Sequence, residues 1–283
     1  MQSVTGLTVL VTGAGRGMGE IYARRAVAEG ARAVILWDVD QAALDEVSGT
    51  LTDTATRVLT QRVDISNLDD ITKAAATARE EVGAPDVLIN NAGIVRGGAF
   101  WENDPVTAID ATMRINAIAH MWITREFLPD MIADTATPKR ILNIASAAGT
   151  LANPGMTVYA ASKWAMIGFS DSLRLELRKK RHRHILVTTF CPSYISTGMF
   201  EGARGPALTP ILTPEKATDA AWRAMLRGKP ILYKPWTVRL SMAMRGILPI
   251  RAWDFLAARV FGVYSSMDRF TGRPVAATKG PPS

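Results

Sequence analysis

Cysteine is almost absent. The 283-residue chain has one, Cys191, so no intrachain disulfide can form; a disulfide-stapled fold is excluded and a reducing compartment fits. Cys191 itself reads as a buried small apolar residue at a strand end. Histidine is scarce too: His120, His182 and His184 show no metal-ligand spacing with other ligand types, so no metal site is expected. No uncharged apolar run has the length a membrane span needs. The N-terminus lacks a charged region followed by an apolar core and cleavage site, and strand-like sequence begins at Leu7, so no signal peptide is expected. These absences lead to the expectation of a soluble, cytoplasmic protein, attached at most to a membrane surface. Neither sign of charge dominates strongly: 33 basic against 26 acidic side chains leave +7, compatible with an anionic cofactor, a lipid surface or nucleic acid without choosing among them. The run Arg178–His184 (RKKRHRH) lies at a predicted helix C-terminus, where cations complement the dipole. It is read that way, and no nucleic-acid partner is expected.

What is there suits one large α/β domain with a proper core. Apolar runs at Leu7–Thr12, Ala33–Trp37, 57–63, Asp86–Asn90, Arg140–Ala145 and Ile185–Cys191 read as strands. Helical stretches at 17–30, 40–51, 67–82, roughly 106–133 and 157–180 separate them. Strands alternating with helices of this length predict a parallel sheet covered on both faces, and the right-handed crossover rule makes it a doubly wound Rossmann-type fold of about seven strands. Ligands of such sheets lie at the carboxyl ends of the strands.

Thr12–Gly19 reads TGAGRGMG directly after the first strand and opens a helix. Glycine at Gly13, Gly17 and Gly19 lets the backbone turn tightly and approach a pyrophosphate, and the helix N-terminus offers free N–H groups to its charge. A Gly-rich turn without a ligand is the bland alternative. Asp38 ends the second strand 19 residues after Gly19. A carboxylate there can accept from both adenosine ribose hydroxyls and repels a 2′-phosphate, favouring NAD over NADP; the alternative role is a helix N-cap. Arg16, inside the glycine loop, is either a solvated cation or a partner for a 2′-phosphate.

Tyr159 and Lys163 (YAASK) are four apart on a predicted helix and share one face. A free phenol, with a pKa of about 10, is a poor base near neutrality. The expectation is that the neighbouring ammonium, joined by an oxidised nicotinamide, lowers it and makes Tyr159 the acid/base for an alcohol. Ser146, ending the strand before this helix, is placed to hold the substrate oxygen; Asn116 is placed to position a water; Asn90–Gly93 (NNAG) follows the fourth strand.

This combination resembles the short-chain dehydrogenase/reductase family over about residues 5–233, because TGAGRGMG, NNAG, Asn116, Ser146 and YAASK appear separately and in order. The resemblance implies a catalytic tetrad of Asn116, Ser146, Tyr159 and Lys163, with Lys163 also on the nicotinamide ribose. It implies a cofactor set of Gly13, Arg16, Gly17, Met18, Gly19, Asp38, Asp64, Ile65, Asn91, Ala92, Gly93, Tyr159, Lys163, Pro192, Ile195 and Thr197. Where the family has Pro-Gly after the sixth strand this chain has Pro192-Ser193, a departure in local backbone. LWDVD around Asp38, CPSYISTGMFEG from Cys191 and LTPILTPEKATD from Leu208 are similar to the retinol dehydrogenase and lipid-droplet hydroxysteroid dehydrogenase branch. That branch implies a hydrophobic alcohol/carbonyl pair; its animal members often carry an N-terminal membrane anchor, which is not expected here. A substrate pocket is expected from Ala148, Met156, Ser193, Met199, Phe200, Leu208 and Ile211.

Residues 234–264 are the most unusual stretch, with Trp236, Met242, Met244, Leu248, Trp253, Phe255, Phe261 and Tyr264 among five basic residues and one acidic. Pro249 is expected to divide two short helices. Basic residues interleaved with Trp and Leu suit a helix at a membrane interface; a helical cap on the pocket or a subunit contact is the other reading. The domain division expected is 1–233 for the Rossmann-type unit with a substrate lid at about 194–213, 234–272 for a helical extension, and 273–283 for a frayed tail. A homodimer or homotetramer is expected through the helices starting near 106 and 157. Two rivals stand beside an NAD-dependent dehydrogenase: an NADPH-dependent carbonyl reductase using Arg16, and a non-catalytic dinucleotide sensor or scaffold.

Overall fold

The computed structural model describes residues 1–51, 55–206 and 209–272. Its strands are β1 (Thr8–Thr12), β2 (Ala33–Asp38), β3 (Arg57–Arg62), β4 (Val87–Asn90), β5 (Lys139–Ile144), β6 (Ile185–Pro192) and β7 (Ile231–Lys234). They form one sheet in the order β3-β2-β1-β4-β5-β6-β7, every pair parallel. The interior strands are apolar without alternation because both faces are covered; β1 and β4 are buried at every position.

Helices α1 (Gly17–Ala28), α2 (Gln41–Gly49) and α7 (Pro214–Leu226) accompany one core, where Tyr22, Leu36, Leu44, Phe190 and Trp222 meet. Helices α3 (Leu68–Val82), α5 (Ala119–Ala133) and α6 (Thr157–Lys179) cover the other, around Ile35, Trp37, Ile71, Phe127 and Leu173. Capping starts several of these helices. Asp40 accepts from the Ala43 N–H, Asn67 from Asp69 and Thr213 from Lys216, each answering a donor the first turn cannot pair.

The predicted helix over 106–133 is not continuous α-helix. A π-helical turn (Pro105–Asp110), a short α4 (Ala111–Met113) and a second π turn (Arg114–Ile118) precede α5. Past β7, α8 (Trp236–Ile247) and α9 (Ile250–Phe255) flank Pro249. Arg245 fastens α8 to the rest of the fold, donating to the Thr150 carbonyl at 3.0 Å and lying 5.2 Å over the Trp164 ring. The tail from 273 and Leu208 lie outside the described residues. No helix among the described residues is long and apolar enough to cross a membrane.

Candidate active site

The strand order reverses between β1 and β4, so the loops after these strands part and leave a crevice. A cleft of about 460 Å³ occupies it. Thr12, which the sequence analysis passed over, ties down the loop after β4 behind it: its hydroxyl accepts from the N–H groups of Asn91 and Ala92 at 3.0 and 3.1 Å. The Asn91 side chain donates back to the carbonyls of Thr12 and Gly13 at 2.9 and 3.2 Å. Gly13, Arg16, Gly17, Met18, Asp38, Asp64, Ile65, Asn91, Ala92 and Gly93 line one part of the cleft; Tyr159, Lys163, Pro192, Ile195, Thr197 and Met199 line the rest.

The glycine loop has the shape of a phosphate cradle. A Cβ at Gly13 would lie 2.9 Å from the Ala92 Cα, and one at Gly19 would lie 1.9 Å from the Gly13 carbonyl oxygen. Gly19 therefore serves close packing of α1 on its own loop and does not face the cleft. The cap position of α1 is Arg16, which makes no side-chain cap bond, unlike the caps of α2, α3 and α7, so the first-turn donors are left for something else. These features fit a dinucleotide pyrophosphate.

Asp38 accepts the Gly15 N–H on Oδ2 at 2.9 Å and the Asp40 N–H on Oδ1 at 3.1 Å, which aims its carboxylate at the cleft. It does not cap α2; Asp40 does. Arg16 lines the same end but is ion-paired with Asp40. Asp64 accepts from the Ser66 N–H and hydroxyl at 2.9 and 2.7 Å.

Tyr159 and Lys163 are buried one turn apart on α6, the ammonium 5.7 Å from the centre of the phenol ring. Lys163 donates to the Ile144 carbonyl at 2.9 Å. The expectation joined this ammonium to the charge of an oxidised nicotinamide; without that second charge, burial is the larger influence on both groups. Burial pushes Tyr159 up to about 12; a hydrogen bond from Ser146 pulls the other way without cancelling it. Burial also lowers Lys163 to about 8. In the chain by itself, desolvation outweighs the pairing.

Ser146 accepts the Ala148 N–H at 3.1 Å, which fixes its hydroxyl near Tyr159. Asn116 sits in the second π turn, fully buried. Its Oδ1 accepts the Ile94 N–H at 2.8 Å; its amide donates to the Ile94 carbonyl at 2.8 Å and the Ser162 hydroxyl at 3.1 Å. Ser162, another residue the sequence analysis missed, donates to the Tyr159 carbonyl at 2.7 Å. The side chain of Asn116 thus ties the loop after β4 to α6, and both its donors are taken by protein groups rather than by a water.

A second cavity of about 100 Å³ adjoins the cleft. Ser146, Ser193 and Phe200 line both spaces. Ala148 and Met156 line the cavity as expected, while Met199 lines the cleft. Ile211 is corrected: it is half exposed and lines neither space. Its neighbour Leu212 pairs with Ile195 as a β-bridge, and the extended backbone there turns Leu212 toward the core and Ile211 away from it. Thr237, Val238, Ser241 and Met244 of α8 line the cavity, in keeping with the cap reading of 234–264. Leu151, Asn153 and Tyr194 were missed in the sequence analysis, since each is an ordinary residue of its own segment.

The family model described as short chain dehydrogenase matches residues 7–206. Epidermal retinol dehydrogenase 2 of Mus musculus is 36% identical over 275 residues, covering 96% of this chain and 87% of that protein. Estradiol 17-beta-dehydrogenase 11 of Pongo abelii is 33% identical over 260 residues, covering 92% and 85%. The chain belongs to the short-chain dehydrogenase/reductase family of oxidoreductases. Among solved structures, a short-chain dehydrogenase/reductase from Burkholderia phymatum in complex with NAD superposes with a TM-score of 0.78 at 24% identity, covering 87% of this chain and 95% of that one. A short-chain dehydrogenase from Burkholderia cenocepacia J2315 in complex with NADP gives 0.73 at 26%, covering 91% and 98%. The fold therefore accommodates either cofactor in relatives.

Proposed function

We propose that this chain is an NAD-dependent dehydrogenase of hydrophobic alcohols, with Tyr159 as its acid/base. The observation that carries this reading is the convergence of Ser146, Tyr159 and Lys163 where the cleft meets an apolar cavity. When bound, oxidised NAD supplies the hydride acceptor and a positive charge beside the phenol. Ser146 and Tyr159 hold the alcohol oxygen between them, and Tyr159 takes its proton as the carbinol carbon gives up hydride. Lys163 has two ammonium hydrogens beyond its bond to Ile144; we assign them to the nicotinamide ribose. Asn116 acts as a positioning residue that sets the height of the Ile94 loop against α6. Asp38 selects NAD by offering a carboxylate to the ribose hydroxyls, and Arg16 is held away from a 2′-phosphate by Asp40.

The lining of the cavity supports an apolar substrate: Leu151, Met156, Phe200, Val238, Met244 and Phe261 surround it. Relatives named for retinol and estradiol fit a secondary or long-chain alcohol. The reading keeps 1–233 as the cofactor unit and takes 234–272 as a cap on the pocket that also meets a lipid surface. A homodimer or homotetramer through the helical stretch that starts near 106 and through α6 belongs to the same reading, supported by exposed Trp164 and Leu175 on α6.

Tyr159→Phe tests the reading. It removes the proton acceptor and keeps the ring packed edge-on to Phe200. Turnover of a hydrophobic alcohol should fall by about 10²-fold or more while NAD affinity, read by calorimetry, stays near wild type. A variant with near-normal turnover overturns it.

A further inference from the structure

Residues 262–272, expected as part of a helical extension, form no helix or strand. They are nevertheless bound to the stretch that follows β6. The Arg204 N–H donates to the Ser266 carbonyl at 2.8 Å, and the Thr271 and Gly272 N–H groups donate to the Glu201 carbonyl at 3.0 and 3.2 Å. The bond within the stretch, Ala203 N–H to the Phe200 carbonyl at 3.1 Å, is only local. Side chains join from the pocket. The Tyr194 hydroxyl donates to Ser266 Oγ at 2.9 Å and accepts from the Asn153 amide at 3.3 Å. Ser266 Oγ in turn donates to the Val263 carbonyl at 2.7 Å. Met267 and Phe270 pack in the apolar cluster that contains Tyr159, Tyr194 and Phe200.

Two glycines in separate loops leave room for this contact. A Cβ on Gly202 would lie 2.0 Å from the Arg269 carbonyl oxygen, and one on Gly97 would lie 2.4 Å from the Phe270 ring. A side chain at either position would push the segment off.

We propose that Ser266–Gly272 is a latch, with Ser266 and Phe270 as positioning residues that hold Tyr194 directly, and Phe200 through the 198–206 stretch, against Tyr159. Phe200 lies edge-on to both rings, 5.7 Å from Tyr159 and 5.3 Å from Tyr194. It also lines both cleft and cavity, with Ser146 and Ser193. A substrate that drives the Phe200 backbone outward works against the backbone bonds at Glu201 and Ser266 together, and the strength of the latch sets which bulky alcohols enter. The effect on substrate choice rests on the proposed dehydrogenase reading; the latch itself does not.

The intact chain, free of cofactor and substrate, is exposed to trypsin under native conditions, and cleavage after Arg204 is followed by the mass of fragment 1–204. Phe270→Ala and Ser266→Ala should be cut several-fold faster than wild type, with Phe270→Leu between. In assays with NAD and a bulky secondary alcohol, both variants should shift KM for the alcohol while NAD affinity holds. Cleavage of Ser266→Ala at the wild-type rate overturns the latch, and this variant decides the matter alone if Phe270→Ala does not fold. Faster cleavage with unchanged alcohol KM overturns the positioning of the cavity wall. A wild-type protein without dehydrogenase activity would defeat the functional reading and leave the trypsin result standing.

Discussion

Tyr159 shares a face of α6 with Lys163, yet burial raises the phenol to about 12 and lowers the ammonium to about 8. The phenol thus stays protonated through the neutral range until more positive charge arrives beside it. Asp38 decides a different matter, the choice of cofactor. With its carboxylate fixed by Gly15 and Asp40 and Arg16 paired off, kcat/KM should favour NAD over NADP, and Asp38→Asn should narrow the difference. Wild-type preference for NADP would reverse the reading of this residue. His120 makes a prediction about pH and stability. Its ring is fully buried, and burial, aided by the Lys163 charge and only partly opposed by a hydrogen bond with the Ala92 backbone, lowers it to about 3. The unfolded chain takes up this proton below about 6.5, whereas the folded chain resists until about 3, so stability present above that window is lost as pH falls through it. His120→Gln should show a shallower drop in urea midpoint across the window than wild type; superimposable slopes would contradict the assignment.

Elements were legible to different degrees. The first six strands and the helices of the cofactor half stood out because buried parallel strands are apolar runs and amphipathic helices repeat every 3.6 residues. The caps Asp40, Asn67 and Thr213 were not singled out in the sequence, where Asp38 was the cap considered. The π turns around Asn116 were not legible. One extra residue per turn changes which side chain faces the cleft, yet it leaves composition untouched. Ile211 shows the same limit. Its apolarity suggested the pocket, but the bridge between Ile195 and Leu212 directs the neighbouring residue outward. The latch residues Ser266 and Phe270 gave no local signal, because what holds them is a carbonyl and a glycine far away in sequence.

At the scale of the whole molecule, the helices after β7 have two differently employed faces. Thr237, Val238, Ser241 and Met244 look into the cavity, while Ile247, Ile250 and Phe255 are exposed beside exposed Arg239, Arg251 and Arg259. Exposed apolar and cationic side chains on the same short helices suit the boundary of an anionic bilayer. The protein should therefore co-sediment with phosphatidylserine-containing vesicles, less so at high salt, and Ile247→Ser/Ile250→Ser/Phe255→Ser should remain in the supernatant. Equal sedimentation of wild type and triple variant would exclude this surface as the contact. By itself the sequence determined the doubly wound sheet, the glycine cradle and the order of Asn116, Ser146, Tyr159 and Lys163, because strand burial, tight turns and helical spacing are local properties. Only the tertiary structure decided how acidic Tyr159 is, what Asn116 holds, and which residues wall the cavity. Those depend on desolvation and on contacts between segments remote in the chain, and neither is encoded at any single position.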